Sequence, residues 1–401
     1  MTETTEPNVG SFTLGGPLTA EPAGTIEVPE HEEWTLPNGF AWVFPGEGND
    51  GGLVRPVIMA DGFNLGRSKL DVLHHGLESG FPFISELRRR GRDVILLGFD
   101  ERSASILDNA RTVEAAIMRA IAVRLGDAPL AVGGFSMGGI VTRYALARME
   151  VQRMDHQTQL YFSYDSPHRG ASIPVGVQAF SHFIPLPNNF ARQMNSPAAR
   201  QMLWQHYDAD TGKTGVSPLR EEFLEALRQV GWWPRRPRMI GVANGRGDGI
   251  GLPEVKAGEV ALRIDKIYPG TTFYTQAQGD DVTAAYLNRR LPKAEKTITT
   301  GGFPELDGAP GGTLHTYKIL ADTVKKFGGE ADLRHGDVCF VPSVSAVAIR
   351  DIDKQDDLYA GVDELAPDES ELDEFLCSST TTAHTAITAE LCTWIMDRLA
   401  D

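Results

Sequence analysis

Cysteine is scarce. The chain has three, Cys339, Cys377 and Cys392, among 401 residues, and none stands in the paired spacing of a metal-ligand set. That excludes a disulfide scaffold and a zinc-ribbon-like site. Basic residues are the minority, 38 Lys and Arg against 54 Asp and Glu for a net charge of −16. The electrostatic footprint of a nucleic-acid or anionic-membrane binder is therefore missing. No apolar stretch reaches the ~18 residues that a membrane helix needs. The opening MTETTEPNVGSFTLGG has neither the basic start nor the apolar run of a secretory signal. Cytoplasmic residence is the expectation, with export by a route lacking a cleaved signal left open. What is present is ordinary: 41% hydrophobic residues and 42 glycines predict a soluble globular protein with a full core.

Residues 1–50, rich in Gly, Pro, Thr and Glu, read as a leader followed by edge strands in TIEVP and FAWVFPGE. From Leu53 onward, short β-branched runs alternate with helical periodicity. LVRPVIMA (53–60), DVILLGF (93–99), PLAVGGF (129–135) and TQLYFSYD (158–165) read as strands; 81–91, 103–126 and the segment after Ser136 read as helices. Such alternation implies a mostly parallel sheet flanked by helices, with right-handed crossovers. Regularity stops after Pro167 for some seventy residues and resumes at RMIGVA (238–243). A period-two stretch at 258–300 reads as part of a small β-rich insertion spanning about 254–335. Residues 351–374 hold eleven acids and one lysine and read as a solvated face.

Gly134-Phe135-Ser136-Met137-Gly138 fits G-x-S-x-G, directly behind one expected strand and opening an expected helix. That context marks a nucleophile elbow, a turn so tight that its flanking positions tolerate no Cβ. Ser136 Oγ would stand at the sheet edge, and the Met137 amide at a helix N-terminus would face a developing oxyanion. The alternative is a glycine-rich turn with an N-capping serine.

With these residues the sequence resembles the bacterial lipase and esterase branch of the α/β-hydrolase superfamily, over roughly 53–400 apart from the β insertion. VIMADGFN (57–64) resembles the family's His-Gly-Phe oxyanion loop, with Asp61 in place of the histidine; the resemblance makes the Phe63 amide the second oxyanion donor. YDSPHRGA (164–171) resembles the T-P-H-x-G segment that ends the next strand, and VCFVPSVSA (338–346) a V-P-x-x-S stretch beside the acid. The resemblance implies an α/β-hydrolase fold with a cap insertion at about 168–236. It also implies a Ser-acid-His order. Of ten histidines, His384 stands where the family places its base, after the last expected strand and before the terminal helix. His168 comes too early and would be structural or line the site; His74 and His75 would border a helix.

The acid must reach His384 Nδ1 to hold its tautomer and stabilise imidazolium. Three aspartates compete. Asp248, in the G-R-G-D-G-I turn after RMIGVA, fits best by motif; Asp165, ending the strand before, and Asp337, ahead of CFVPSVSA, are the alternatives. Arg246-Gly247-Asp248 as an adhesion tripeptide, the Asp208 segment as a calcium loop and Gly212-Lys213-Thr214 as a phosphate loop all lack supporting context and read as surface turns.

The expected function is a serine hydrolase of carboxylic esters with no cofactor and no metal, acting on a small-molecule ester with an apolar acyl group lined by Phe180, Phe183 and Trp204. Rival readings are an acyltransferase or thioesterase using the same residues, and a non-catalytic binding protein on the same fold.

Overall fold

A computed structural model of the chain describes residues 26–49, 51–326 and 328–399. The expected leader at 1–25 lies outside them. No strand forms at 26–31; the first, β1 (Glu32–Leu36), makes a hairpin with β2 (Gly39–Phe44). There follow β3 (Pro56–Ala60), α1 (Leu70–Ser79), α2 (Phe83–Arg89), β4 (Asp93–Phe99), α3 (Ile106–Val123), β5 (Leu130–Phe135), α4 (Met137–Val151) and β6 (Thr158–Tyr164). Between β6 and β9 (Arg238–Ala243) come α5 (Val175–Phe183), α6 (Asn189–Met194), α7 (Pro197–Met202), the hairpin of β7 (His206–Asp208) and β8 (Lys213–Gly215), and α8 (Pro218–Gln229). Next are β10 (Val260–Ile264), β11 (Thr271–Tyr274), β12 (Val282–Arg290), β13 (Lys293–Thr300), β14 (Gly311–Leu314), α9 (Thr316–Lys326), β15 (Ala331–Leu333) and β16 (Val338–Pro342). The short helices α10 (Ser343–Ala346) and α11 (Gln355–Leu358), then β17 (Glu374–Cys377) and α12 (Ala389–Met396), close the chain.

Eight strands form the main sheet in the order β1-β2-β4-β3-β5-β6-β9-β17. From β4 to β17 all neighbours are parallel; β2 runs against β4. Central strands are buried on both faces, which is why they read as unbroken apolar runs. Successive side chains point to opposite faces. Val57, Met59, Val94, Leu96 and Phe135 pack with α1, α2 and α12 through Leu77, Phe83, Leu87 and Leu391. Ile58, Ala60, Ile95, Leu97 and Val132 pack with α3 and α4 through Val113, Ile117, Ile140 and Val141.

Helix α1, the β7–β8 hairpin, helix α8 and strand β17 are among the elements the sequence does not announce. Helix α1 carries its apolar Leu73 and Leu77 among histidines and acids, too few to set a period. Strand β17 lies at the end of the acidic run expected to be a solvated face; it pairs in parallel with β9 alone, as an edge strand whose outer side needs no apolar cover.

A second sheet, β13-β12-β11-β10-β15, is antiparallel throughout. Helix α5 lies close against it, because a Cβ at Gly176 would stand 2.7 Å from that of Ala285. Among the described residues no helix is long and apolar enough to cross a membrane.

The strand order reverses around β3: the chain leaves it for β4 on one side and returns to β5 on the other. The crevice beyond the carboxyl ends of β3 and β5 is where open α/β sheets bind ligands. Asp61–Phe63 follow β3 there, and Ser136 follows β5.

Candidate active site

Ser136 sits between β5 and α4 with φ 52° and ψ −121°, a conformation in which it cannot cap the helix, and its side chain makes no capping bond. The N-capping alternative is thereby excluded. Glycines make the turn possible: a Cβ at Gly134 would overlap the Gly138 backbone, and one at Gly138 would overlap the Ala60 carbonyl. The Ser136 N–H donates to the Tyr164 carbonyl at 2.9 Å, tying the elbow to the end of β6.

Ser136 Oγ lies 2.7 Å from His384 Nε2, and His384 Nδ1 lies 2.6 Å from Asp165 Oδ2. Asp165 and His384 are fully buried and Ser136 is 6% exposed. Asp165 follows β6 with φ 47°, and Thr385, next to His384, has φ 56°. Left-handed backbone at non-glycine residues costs roughly 1–3 kcal/mol each and concentrates where side chains must be aimed. The second Asp165 oxygen, Oδ1, accepts from the Asn244 N–H at 3.0 Å. Asn244 also donates from its amide to Thr382 Oγ1 and the Ala386 carbonyl, which holds the turn carrying His384. The His384 N–H donates to the Thr313 carbonyl at 2.7 Å. Gly312, in β14, is required beside Asp165 because a Cβ there would overlap Oδ2. Phe340, from β16, seats its ring edge-on against His384 at 4.7 Å.

The other two aspartates lie elsewhere. Asp248 is exposed and accepts from Arg246 Nε at 2.9 Å, a bond that holds its carboxyl below the usual range. Asp337 is exposed and pairs with His315 Nδ1. The carboxylate at His384 is thus Asp165, not the Asp248 favoured by motif, because β6 ends beside β5 while the turn after β9 carries Asp248 out to solvent.

The Met137 N–H, first in α4, has no intrahelical partner. Phe63 is buried, and among the described residues its N–H is given to no acceptor. Gly62 lies against the elbow, its Cβ position 3.5 Å from that of Ser136. Asp61 holds this loop from below: Oδ1 accepts from the Gly62 N–H at 2.7 Å, Oδ2 from Ser68 Oγ at 2.6 Å, and Arg102 Nη1 lies 3.8 Å away. Arg102 also donates to the Leu65 and Gly66 carbonyls. Burial pushes the Asp61 carboxyl up, and Arg102, Ser68 and the Gly62 amide oppose it. Where the family resemblance expects a histidine, this chain has a buried carboxylate network.

Phe180 packs edge-on against Tyr268 and Phe273 at 5.0 and 5.5 Å, and the Phe183 ring lies under the Arg289 guanidinium at 4.8 Å. Both rings therefore contribute to the junction of α5 with the second sheet. Trp204 meets Phe303 at 4.9 Å. His168 lies 3.0 Å from Ser163 Oγ and 3.5 Å from Arg143 Nη1, and burial together with Arg143 holds its pKa well below the usual value. His74 is buried in α1 and His75 follows it. Asp208 accepts the Asp210 and Thr211 amides in the β7–β8 turn, and among the described residues no cluster could hold a metal ion.

Serine on a strand–turn–helix elbow, acid and histidine follow one another in chain order on a parallel sheet. The fold is that of the α/β-hydrolases. No family model matches this chain, and no curated protein does. Solved structures resemble about half of this chain. The mature form of the Bacillus licheniformis lipase BlEst2 is 14% identical, over 51% of this chain and 72% of that one, with a TM-score of 0.30. An esterase from Pyrobaculum calidifontis is 15% identical over 53% and 75%, with a TM-score of 0.32. Est1E from Butyrivibrio proteoclasticus is 11% identical over 53% and 77%, with a TM-score of 0.33.

Proposed function

We propose that this protein is a serine hydrolase that cleaves small-molecule carboxylic esters through an acyl-enzyme. The observation that carries this reading is the unbroken line from Ser136 Oγ through His384 to Asp165, with separations of 2.7 and 2.6 Å in a buried setting. Ser136 Oγ attacks the ester carbonyl while His384 Nε2 takes its proton. Asp165 keeps Nδ1–H oriented and stabilises the imidazolium. The Met137 and Phe63 amides receive the oxyanion. Collapse of the tetrahedral adduct expels the alcohol, which takes the proton from His384. Water, deprotonated by the same imidazole, then attacks the acyl-enzyme, releasing the acid and restoring Ser136.

The segment α5–α8 serves in this reading as a cap over the site. The apolar residues of this segment, Val177 and Phe190 among them, are the ground on which this reading assigns an apolar acyl group. Hydrolysis of p-nitrophenyl esters from acetate to palmitate is the test, with wild type beside Ser136→Ala. Turnover that vanishes in the variant supports the reading, and the best chain length gives the acyl preference. Turnover equal in both proteins, or absent from wild type on every ester, overturns it.

A further inference from the structure

The net charge of −16 belongs to the whole chain, and one end of the second sheet departs from it. Strands β12 and β13 join through Leu291-Pro292, with Arg290 directly opposite Lys293 in the closing pair. Leu291 is 88% exposed, more than any other large hydrophobic among the described residues. Two neighbouring turns add to it: Leu186, between Pro185 and Pro187 after α5, is 68% exposed, and Ile267, between β10 and β11, is 46% exposed. Side chains tie the three turns together. Arg289 Nη1 donates to the Phe183 carbonyl, and its guanidinium covers the Phe183 ring at 4.8 Å. Asn288 Nδ2 donates to the Pro269 carbonyl at 2.8 Å, and the Phe183 and Tyr268 rings lie 6.5 Å apart.

Single exposed apolar residues are ordinary on a protein surface. Here the charge pattern adds a second observation. Residues 288–294 hold three basic side chains and no acid. Arg289 braces the turn, donating from Nε to the Pro292 carbonyl at 2.9 Å, and Lys266 is matched by Glu330. Arg290 and Lys293 are exposed, and among the described residues neither makes an ion pair. Like charges directly opposite on paired strands repel. Nothing within the fold offsets a bare leucine set between two such cations. A surface that offers anions above an apolar layer matches both features at once, and an anionic lipid membrane has that chemistry.

We propose that the β12–β13 tip, with the turn after α5 beside it, docks the protein on an anionic lipid surface. Leu291 and Leu186 enter the boundary between headgroups and acyl chains, and Arg290 and Lys293 pair with lipid phosphates. The long stems of these two cations let the tip sink while their charged heads stay at phosphate level. The attachment is peripheral and makes no use of Ser136, so it stands apart from the ester-hydrolase reading.

The test sediments the whole protein with phosphatidylcholine vesicles, either pure or containing about one-third phosphatidylglycerol. Wild type binds the anionic vesicles and not the neutral ones. Raising NaCl from ~0.1 M to ~1 M, which shortens the Debye length to about 3 Å, releases it. Arg290→Ser together with Lys293→Ser lowers the partition coefficient about thirtyfold, at about fivefold for each cation near the surface. Leu291→Ser lowers it about tenfold. Val151→Ser, at the exposed end of α4, leaves it unchanged. Equal binding to both kinds of vesicle, or an undiminished partition in folded R290S/K293S, overturns the proposal. No binding to the anionic vesicles also overturns it and leaves an acidic protein as the alternative partner. Should the variants fail to fold, wild type alone decides, since binding that persists at ~1 M NaCl overturns the proposal. Ser136→Ala binds as wild type does, so failure of the ester-hydrolase reading is distinguishable from failure of this one.

Discussion

His384 Nδ1 lies 2.6 Å from Asp165 Oδ2, although the two residues stand 219 positions apart in the chain. The contact joins the end of β6 to the turn after β17, and Asn244 holds both sides of it, through its N–H to Asp165 and its amide to the Ala386 carbonyl. Asp165→Asn removes the charge that stabilises the imidazolium and favours the wrong tautomer. The expected loss in kcat is about 10³–10⁴-fold. Asp248→Asn and Asp337→Asn, both on exposed turns, leave kcat/KM within about twofold. Steady-state kinetics on one ester separates the three.

Asp61 acts through the loop it holds and touches no reacting atom in the proposed mechanism. Asp61→Ala releases the Gly62 N–H, Ser68 and Arg102 together. The Phe63 amide then loses its fixed direction, and kcat falls about 10–100-fold with KM nearly unchanged, short of the loss from deleting an oxyanion donor outright. Affinity for a boronic acid that mimics the tetrahedral adduct should fall in parallel. A merely structural role for Asp61 would lower thermal stability and leave that affinity intact.

The elbow tolerates no side chain at Gly134 or Gly138, where the neighbours are backbone atoms that cannot move aside. Alanine at either position destabilises the protein by about 3 kcal/mol or prevents folding. Gly215, which has nothing within 4 Å of its Cβ position, accepts alanine with little change. Urea denaturation of the three variants measures this.

Stability should fall in mild acid. Burial and Arg143 hold the His168 pKa well below its ordinary value, so the folded protein keeps the imidazole neutral. The unfolded chain binds a proton there once pH drops below about 6.5. Below that point the unfolded state carries more protons, and stability declines with falling pH by up to ~1.4 kcal/mol per unit until the folded pKa is reached. His168→Gln should flatten this decline. The raised carboxyls of Asp61 and Asp307 contribute the opposite slope equally in both proteins, so the difference between them isolates His168.

Local patterning made the body of the fold legible. The apolar runs of β3 to β6 and the periodicity of α3 and α4 lie close along the chain, and the glycines around Ser136 announce their turn through sterics that any neighbour within five residues would meet. His384 was legible by its place between the last strands and the terminal helix. The acid was not. Asp165, Asp248 and Asp337 each follow or precede a strand in a plausible motif, and a carboxylate's reach to an imidazole depends on which strand ends lie side by side. That adjacency comes from the strand order β5-β6-β9-β17, set by packing of whole helices on both faces. The Asn244 brace, the Phe340 ring on His384 and the Asp61 network likewise arise where distant segments meet. A sequence determines which residues have the chemistry and which stretches must be buried; only tertiary packing decides which of those side chains share a few ångströms, because that distance is set by contacts between segments and not within them.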